Sequence, residues 1–109
     1  MTKKIKFEGY ELSLYKAEYQ NNQALAIMAI MEDGEDYATL TVNLGGTTMP
    51  TWQYFNTNMH RGDKMFELLK VEKIITPLGF SAQSGFVSYP MVQWQLEGIQ
   101  NIEELYGEE

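Results

Sequence analysis

Residues 25–31 read Leu-Ala-Ile-Met-Ala-Ile-Met, and this run decides the fold because it contains no polar side chain. A strand with one wet face would alternate apolar and polar residues, whereas a strand covered on both faces is apolar throughout. The run therefore predicts a strand at the centre of a sheet. The whole apolar stretch, 24–31, is too short to span a bilayer as a helix.

The sequence on both sides of this run alternates apolar and polar residues, as strands with one exposed face do. A short strand begins at 5–7, a second covers 10–19, and a third covers 37–44 with Ala38, Leu40, Val42 and Leu44 facing inward. The turns between the strands contain Gly, Asn or acidic residues: Glu8-Gly9, Asn21-Asn22 and Glu32-Asp33-Gly34-Glu35-Asp36. The first half is therefore predicted to be an antiparallel meander.

The chain changes character after the Gly- and Thr-rich connection at 45–50. Asn56-Thr57-Asn58 supplies N-cap candidates for a helix over about 60–72. Thr76-Pro77-Leu78-Gly79 predicts the end of that helix. The buried side of the helix would carry its larger apolar residues: Met65, Phe66, Leu68 and Leu69.

A last strand is predicted over 86–96, followed by a short C-terminal helix from the spacing of Ile99, Ile102, Leu105 and Tyr106. Pro90 cannot donate a main-chain hydrogen bond, so this strand should lie at an edge or contain a bulge. A proline at an edge disfavours edge-to-edge association on that side. The oligomeric state is otherwise left open by the sequence.

These elements predict an α+β fold, an antiparallel sheet of about five strands with two short helices packed on it, in a single domain of 109 residues. The chain has no Cys, which excludes disulfides and thiolate metal sites and is compatible with a reducing compartment. The basic segment 1–6 is not followed by an apolar run, so we expect neither signal peptide nor membrane anchor, and a cytoplasmic location.

The charge is segregated along the chain, whose net charge is -7. Residues 17–60 and 74–109 contain no Lys or Arg, and each stretch carries five acidic residues. Such a field repels nucleic acid and membrane surfaces and attracts basic proteins, so we expect a protein partner with a basic groove. The candidate partner-binding residues lie in one acidic turn and in the C-terminal helix: Glu32, Asp33, Glu35, Asp36, Glu103 and Glu104.

The residues that carry chemistry are few. His60 is the only imidazole and has no nucleophile motif near it, so we interpret it as a surface or capping residue rather than a base. The acidic turn lacks EF-hand spacing, since Leu40 stands where the Glu ligand would be. Gly45-Gly46-Thr47-Thr48 matches no phosphate-binding motif. We therefore predict no catalytic residue, no cofactor and no metal.

Two segments together carry a family resemblance: Asn56-Thr57-Asn58 before a helix, and Ser84-Gly85-Phe86 with Tyr89-Pro90 before an aromatic strand. Over residues 55–96 this arrangement resembles a family of small acidic proteins of unknown function carried on mobile elements of Firmicutes. The resemblance implies an anti-restriction or anti-CRISPR context, in which small acidic proteins occupy cationic nucleic-acid grooves or block moving parts of a nuclease.

Three functions remain open from the sequence. The first is a non-enzymatic inhibitor of a host defence nuclease, with a CRISPR effector as its narrower form. The second is an accessory protein-binding module of a mobile element without inhibitory role. The third is a small enzyme that uses Asp or Glu together with Tyr. Salt sensitivity separates the first two, because binding to a cationic groove weakens with ionic strength and a packed apolar interface does not.

Overall fold

The computed structural model describes residues 1–45 and 49–106. Strands make up about half of this part of the chain, and one helix exceeds two turns. In chain order the elements are β1 (Lys4–Phe7), β2 (Tyr10–Glu18), β3 (Leu25–Met31), β4 (Asp36–Thr39), β5 (Thr41–Val42), β6 (Trp52–Phe55), α1 (Gly62–Val71), β7 (Ile75–Ser84), β8 (Val87–Trp94), β9 (Gln100–Asn101) and α2 (Ile102–Tyr106).

The strands form two sheets. Sheet A has the order β1-β2-β3-β4 with antiparallel neighbours, and β9 pairs parallel to β2 beyond the end of β1. Sheet B has the order β5-β6-β8-β7 and is antiparallel throughout. The central position predicted for residues 25–31 is confirmed, since β3 lies between β2 and β4.

The expectation of an α+β fold, with one antiparallel sheet and two helices packed on it, is wrong. The structure has two antiparallel sheets and one helix longer than two turns, so it is richer in strand than expected. There are two sheets because the strand predicted over 37–44 divides at Leu40 into β4 of sheet A and β5 of sheet B. The side chain of Leu40 is fully buried. Its N–H donates to the Ile27 carbonyl at 2.8 Å, and its carbonyl accepts from the Asn56 N–H at 2.9 Å. Beyond this crossing the inward position falls on Thr41 instead of Val42.

A whole strand, β7, was not expected, because Thr76-Pro77-Leu78-Gly79 was predicted to be a turn after the helix. In the structure these residues lie inside β7, where its register with β8 shifts between Pro77 and Ser81. Gly79 has φ +90°, a conformation that glycine adopts without strain. Proline and glycine therefore make a bulge here, and the strand continues beyond it.

Pro90 was expected in an edge strand or at a bulge, and the structure places it in β8, which is an inner strand. The bulge lies in the partner strand β7, next to Ser81, which pairs with Pro90. Hydrogen-bonded and non-hydrogen-bonded pairs alternate along a hairpin, starting with a hydrogen-bonded pair at a two-residue turn. Counted from Ser84–Val87, the Ser81–Pro90 pair is non-hydrogen-bonded. The nitrogen of Pro90, which carries no hydrogen, therefore points towards β6. The pairing of β6 with β8 ends one residue short of Pro90, at Tyr54–Met91.

Helix α1 confirms the predicted buried side, with Met65 and Leu69 fully buried and Phe66 and Leu68 half-buried. Its N-cap differs from the expectation. Arg61, at φ 56°, takes that position without a side-chain cap, and Asn56-Thr57-Asn58 forms a separate turn in which Asn56 Oδ1 accepts from the Asn58 N–H at 3.2 Å. The second helix, α2, has five residues, none of them buried.

The main core lies between the two sheets and α1. Two buried polar side chains of sheet B bond to the main chain of β3. Gln53 of β6 is 1% exposed, and its Nε2 donates to the Leu25 carbonyl at 2.9 Å. Thr41 of β5 is also buried, and its Oγ1 accepts from the Ile27 N–H at 3.2 Å. The fully buried apolar residues of this core come from both sheets and the helix: Leu12, Leu14, Ile27, Ala29, Leu40, Phe55, Met65, Leu69, Ile74 and Val92.

Residues near the two ends of the described chain meet beside sheet A. The Lys3 N–H donates to the Gly98 carbonyl at 2.7 Å, and Thr2 Oγ1 accepts from the Gln100 N–H at 2.8 Å. These bonds hold β9 in line with β1 along the same edge of β2.

The crossing between the sheets predicts where truncation is costly. Ile27→Ala and Leu40→Ala should each lower the free energy of unfolding by about 2–4 kcal/mol, because each leaves a cavity at a fully buried position. Thr39→Ala, at the exposed neighbour of Leu40, is the control and should change stability by less than about 0.5 kcal/mol. Urea unfolding midpoints check this, and unchanged midpoints for both core variants would contradict the assigned core.

Gly62 opens α1 and is buried against the preceding turn. A Cβ at this position would lie 2.6 Å from the Thr57 carbonyl oxygen, so Gly62→Ala should destabilise by about 1–3 kcal/mol although alanine favours a helix by about 1 kcal/mol. Lys64→Ala, at an exposed position of the same helix, is the control and should be nearly neutral. Thermal unfolding compares the two, and a Gly62→Ala protein as stable as wild type would show that the close approach to Thr57 is not needed.

Candidate functional site

The four acidic residues predicted in the turn after β3 are all exposed: Glu32, Asp33, Glu35 and Asp36. Main-chain bonds fix this turn, since the Met31 N–H donates to the Glu35 carbonyl at 2.8 Å and the Gly34 N–H donates to the Met31 carbonyl at 2.9 Å. The Asp33 carboxylate also accepts from the Glu35 N–H at 3.0 Å. The carboxylates therefore project from an ordered turn.

Two further carboxylates lie beside this turn. The β2–β3 register pairs Leu12 with Met31, so the turn between β1 and β2 lies at the same end of sheet A as the turn after β3. That brings Glu8 and Glu11 next to the predicted group. We call the combined set the acidic end: Glu8, Glu11, Glu32, Asp33, Glu35 and Asp36.

Three shallow depressions border the acidic end, with volumes of about 230, 250 and 350 Å³. Glu32 lines all three. Glu11 and Tyr10 line the two that lie between the turns. Acidic side chains and an aromatic ring thus surround concave surface that a partner's side chains can enter.

Cations offset only part of this charge. Arg61 Nη1 lies 3.3 Å from Glu8 Oε1, and Lys6 borders the same depression as Glu8 and Glu11. Across residues 1–45 and 49–106, none of the four carboxylates in the turn after β3 forms an ion pair. These four groups are therefore available to cations of another molecule.

Two tyrosines stand within the acidic end. Tyr10 is 47% exposed, and its ring centroid lies 5.4 Å from that of Tyr37. The pKa of Tyr37 is raised from its ordinary value, first by burial and then by Tyr10 and Glu8, while Arg61 acts in the opposite direction. Tyrosine is enriched among the residues that contribute most to protein interfaces, so Tyr10 is a candidate contact residue beside the carboxylates.

The structure also brings the C-terminal acidic pair towards this region. Glu103 and Glu104 are exposed on α2, and Leu105 of the same helix lines one depression together with Glu32 and Gly34. The helix that carries the second predicted acidic group therefore borders the same depression as Glu32, through Leu105. Glu108 and Glu109 lie outside the described residues.

The other residues considered from the sequence do not form a catalytic or metal-binding group among the described residues. His60 is exposed, and Gly46, Thr47 and Thr48 of the Gly-Thr connection lie outside the described residues. In the part of the chain that the structure describes, no three His, Cys, Asp or Glu side chains are grouped so that they could hold a metal ion. The helices of that same part are all too short to cross a membrane.

Comparison with known proteins places the chain in a family. A family model described as a domain of unknown function, DUF4313, matches residues 12–107. The chain belongs to this family. The match confirms an uncharacterised family, over more of the chain than the expected 55–96, while the mobile-element setting stays a prediction. Neither the curated proteins nor the solved structures contain a match.

The two segments that suggested a family are neighbours in this DUF4313 domain. Thr57 Oγ1 donates to the Ser88 carbonyl at 3.1 Å, which ties the turn before α1 to β8. Asn56 Nδ2 also donates to the Thr39 carbonyl at 3.0 Å. These contacts give the Asn-Thr-Asn turn a structural role, since it links both sheets.

Glu8, Glu11, Tyr10 and Tyr37 were missed as candidate site residues. Glu8 and Glu11 could have been predicted from the order of the turns, because in an antiparallel meander the first and third turns lie at the same end of the sheet. The contact between Tyr10 and Tyr37 could not be read that way. It joins the start of β2 to β4, which are not neighbouring strands of sheet A.

The raised pKa of Tyr37 predicts a loss of stability in alkali. The folded protein keeps the Tyr37 proton at a pH where the unfolded chain releases it. The contribution of this proton to the free energy of unfolding is therefore complete below the unfolded pKa of about 10, and it is lost as the pH rises through the higher folded pKa. Tyr37→Phe should therefore lose less stability than wild type as the pH is raised from about 9 to above the unfolded pKa of about 10.

Urea unfolding across this range measures the effect. Tyr106→Phe, at a residue that is 60% exposed, is the matched control and should follow the wild-type curve. Parallel curves for wild type and Tyr37→Phe would show that Tyr37 does not contribute to the alkaline loss.

Proposed function

We propose that this DUF4313 protein is a non-enzymatic binding module that engages a cationic surface of a partner protein through its acidic end. One observation carries the proposal: two hairpin turns bring six carboxylates together, and the four in the turn after β3 have no ion pair among the described residues. Exposed carboxylates of this kind contribute little to the fold, because surface charges in turns affect stability weakly.

The physical effect of such a cluster is mainly on association. A concentrated charge steers an oppositely charged partner during diffusion, which raises the association rate and makes it depend on salt. Tyr10, half exposed between the two turns, offers a rigid ring for contact once the partner has arrived. Nucleic acid and anionic membranes carry the same sign as the acidic end and are repelled by it.

The narrower form of the proposal takes its setting from the family resemblance. The module is carried on a mobile element, acts in the cytoplasm of the host, and binds a defence nuclease such as a CRISPR effector or a restriction enzyme. Such nucleases hold nucleic acid in positively charged channels, and a protein that occupies the channel keeps the substrate out. The charge distribution and the size of the chain support this form.

The alternative of a small enzyme draws no support from Tyr37. A tyrosine that acts as a base or nucleophile needs a lowered pKa, and the shift at Tyr37 is upward. The accessory-module alternative differs from the inhibitor in its consequence for the nuclease, which the following experiment measures.

Neutralising the turn after β3 tests the proposal. The combined variant Glu32→Gln, Asp33→Asn, Glu35→Gln, Asp36→Asn keeps an acceptor oxygen for the Glu35 N–H and should fold normally. Association with purified CRISPR effector and restriction nucleases of a host is measured at about 50 and about 200 mM salt, together with DNA cleavage. The variant should associate at least about tenfold more slowly, with a smaller salt dependence and weaker inhibition.

The chain offers a control with the same change of net charge. Four exposed carboxylates outside the acidic end can be converted to Gln: Glu18, Glu67, Glu72 and Glu97. Both combined variants neutralise four acidic groups, so both move the net charge from -7 to -3. If the two variants slow association equally, only net charge matters. If neither does, the acidic end serves solubility. Binding that leaves cleavage unchanged would favour the accessory module over the inhibitor.

A further inference from the structure

Sheet B is free of charged side chains. Residues 37–60 and 74–96 contain no Asp, Glu, Lys or Arg, although the chain has 8 basic and 15 acidic residues. All four strands of sheet B lie within these two stretches. The charges of the molecule are therefore confined to sheet A, to α1 and its flanks, and to the C-terminal segment.

The outer strands of the two sheets differ in protection. Proteins discourage edge pairing with charged side chains, prolines, bulges or very short strands. In sheet A, β1 carries Lys4 and Lys6 and β4 carries Asp36, and in sheet B, β5 has two residues. The ten-residue β7 has Pro77 and the bulge in its first half only. The second half, residues 80–84, has none of these devices.

The second half of β7 presents free main-chain groups. Counted from the two-residue turn, Ser84 and Ala82 form hydrogen-bonded pairs with β8, whereas Ser81 and Gln83 form non-hydrogen-bonded pairs. The N–H and carbonyl groups of Ser81 and Gln83 therefore point away from β8, along the outer edge of sheet B. Both residues are exposed.

We propose that β7 pairs antiparallel with β7 of a second copy of this chain, about a two-fold axis at Ala82. This register sets Ser81 opposite Gln83 in both directions, so the outward groups of the two copies form about four main-chain hydrogen bonds. Ala82 faces Ala82 in the close, non-hydrogen-bonded pair, which a small side chain fits. The two four-stranded sheets become one continuous sheet.

Two features of the edge favour a second copy as its occupant. The same register brings the turn of Phe86, which is fully exposed in the monomer, beside the bulge that carries Phe80, which is 48% exposed. It also joins two chains of charge -7 through strands without charge, so no carboxylates are set against each other. A basic partner would be drawn to the acidic end, and an uncharged, self-complementary strand suits its own copy.

Charge placed on the two-fold axis tests the proposal. Wild-type protein is followed by sedimentation from about 1 to about 200 μM and should show a monomer–dimer equilibrium in the micromolar range, as expected for a small interface. Ala82→Lys sets two cations directly opposite each other and should weaken the dimer at least about tenfold. Gln93→Lys adds the same charge to inner strand β8 of the same sheet and should leave the dimer intact.

A mixing experiment identifies the partner as a second copy. At a concentration where wild type is about half dimeric, Ala82→Lys and Ala82→Glu should each be mainly monomeric, and their mixture should form a heterodimer because opposite charges then meet on the axis. Gln83→Pro supplies an independent disruption, since it removes an outward N–H without breaking the pairing with β8. Its unfolding midpoint shows whether the fold is kept.

Monomeric wild type at all concentrations would overturn the proposal. So would a wild-type dimer that Ala82→Lys and a folded Gln83→Pro both leave intact, or a mixture of the two Ala82 variants without heterodimer. Because the acidic end takes no part in this contact, the four-carboxylate turn variant should dimerise as wild type does, which separates this result from that of the proposed binding function.

Discussion

The structure depends on one passage of main chain, at Leu40. Its N–H bonds to Ile27 of sheet A and its carbonyl bonds to Asn56, which follows the last residue of β6 in sheet B. A buried main-chain group without a partner is costly, so both bonds are needed for the chain to cross the core at this point. With the side chain fully buried at the same position, the crossing fixes how the two sheets face each other.

The strands of the first half could be predicted from apolar periodicity, and the central strand was clearest because residues 25–31 are apolar throughout. The division of the chain into two sheets could not be predicted from this periodicity. Alternation through residues 37–44 continues across Leu40 in sequence, whereas the structure changes sheet there. Likewise Pro77 and Gly79 have the composition of a turn, and whether they end a strand or bulge it depends on the pairing with β8, which is a long-range contact.

The acidic residues of the candidate site could be predicted from the sequence, whereas the elements that lie beside them could be predicted only in part. The exposed turn follows from its composition, and Glu8 and Glu11 could have been added from the order of turns in a meander. The approach of α2 to the same surface depends on β9 pairing with β2, for which two residues give no periodic signal. The structure also shows that charge is divided by sheet, because the acidic end lies on sheet A and the strands of sheet B carry no charged side chain.

The contacts that close sheet A have a consequence for the order of folding during synthesis. Thr2 and Gln100 are 98 positions apart in the chain, and contacts at such separation form late because a long loop must close first. During synthesis β1 leaves the ribosomal exit tunnel before the rest of the domain. Strand β9, which lies in line with β1 along the same edge of β2, leaves the tunnel only after nearly the whole domain has emerged. Until then the part of β2 that lies beyond β1 lacks the partner strand that β9 supplies in the folded domain.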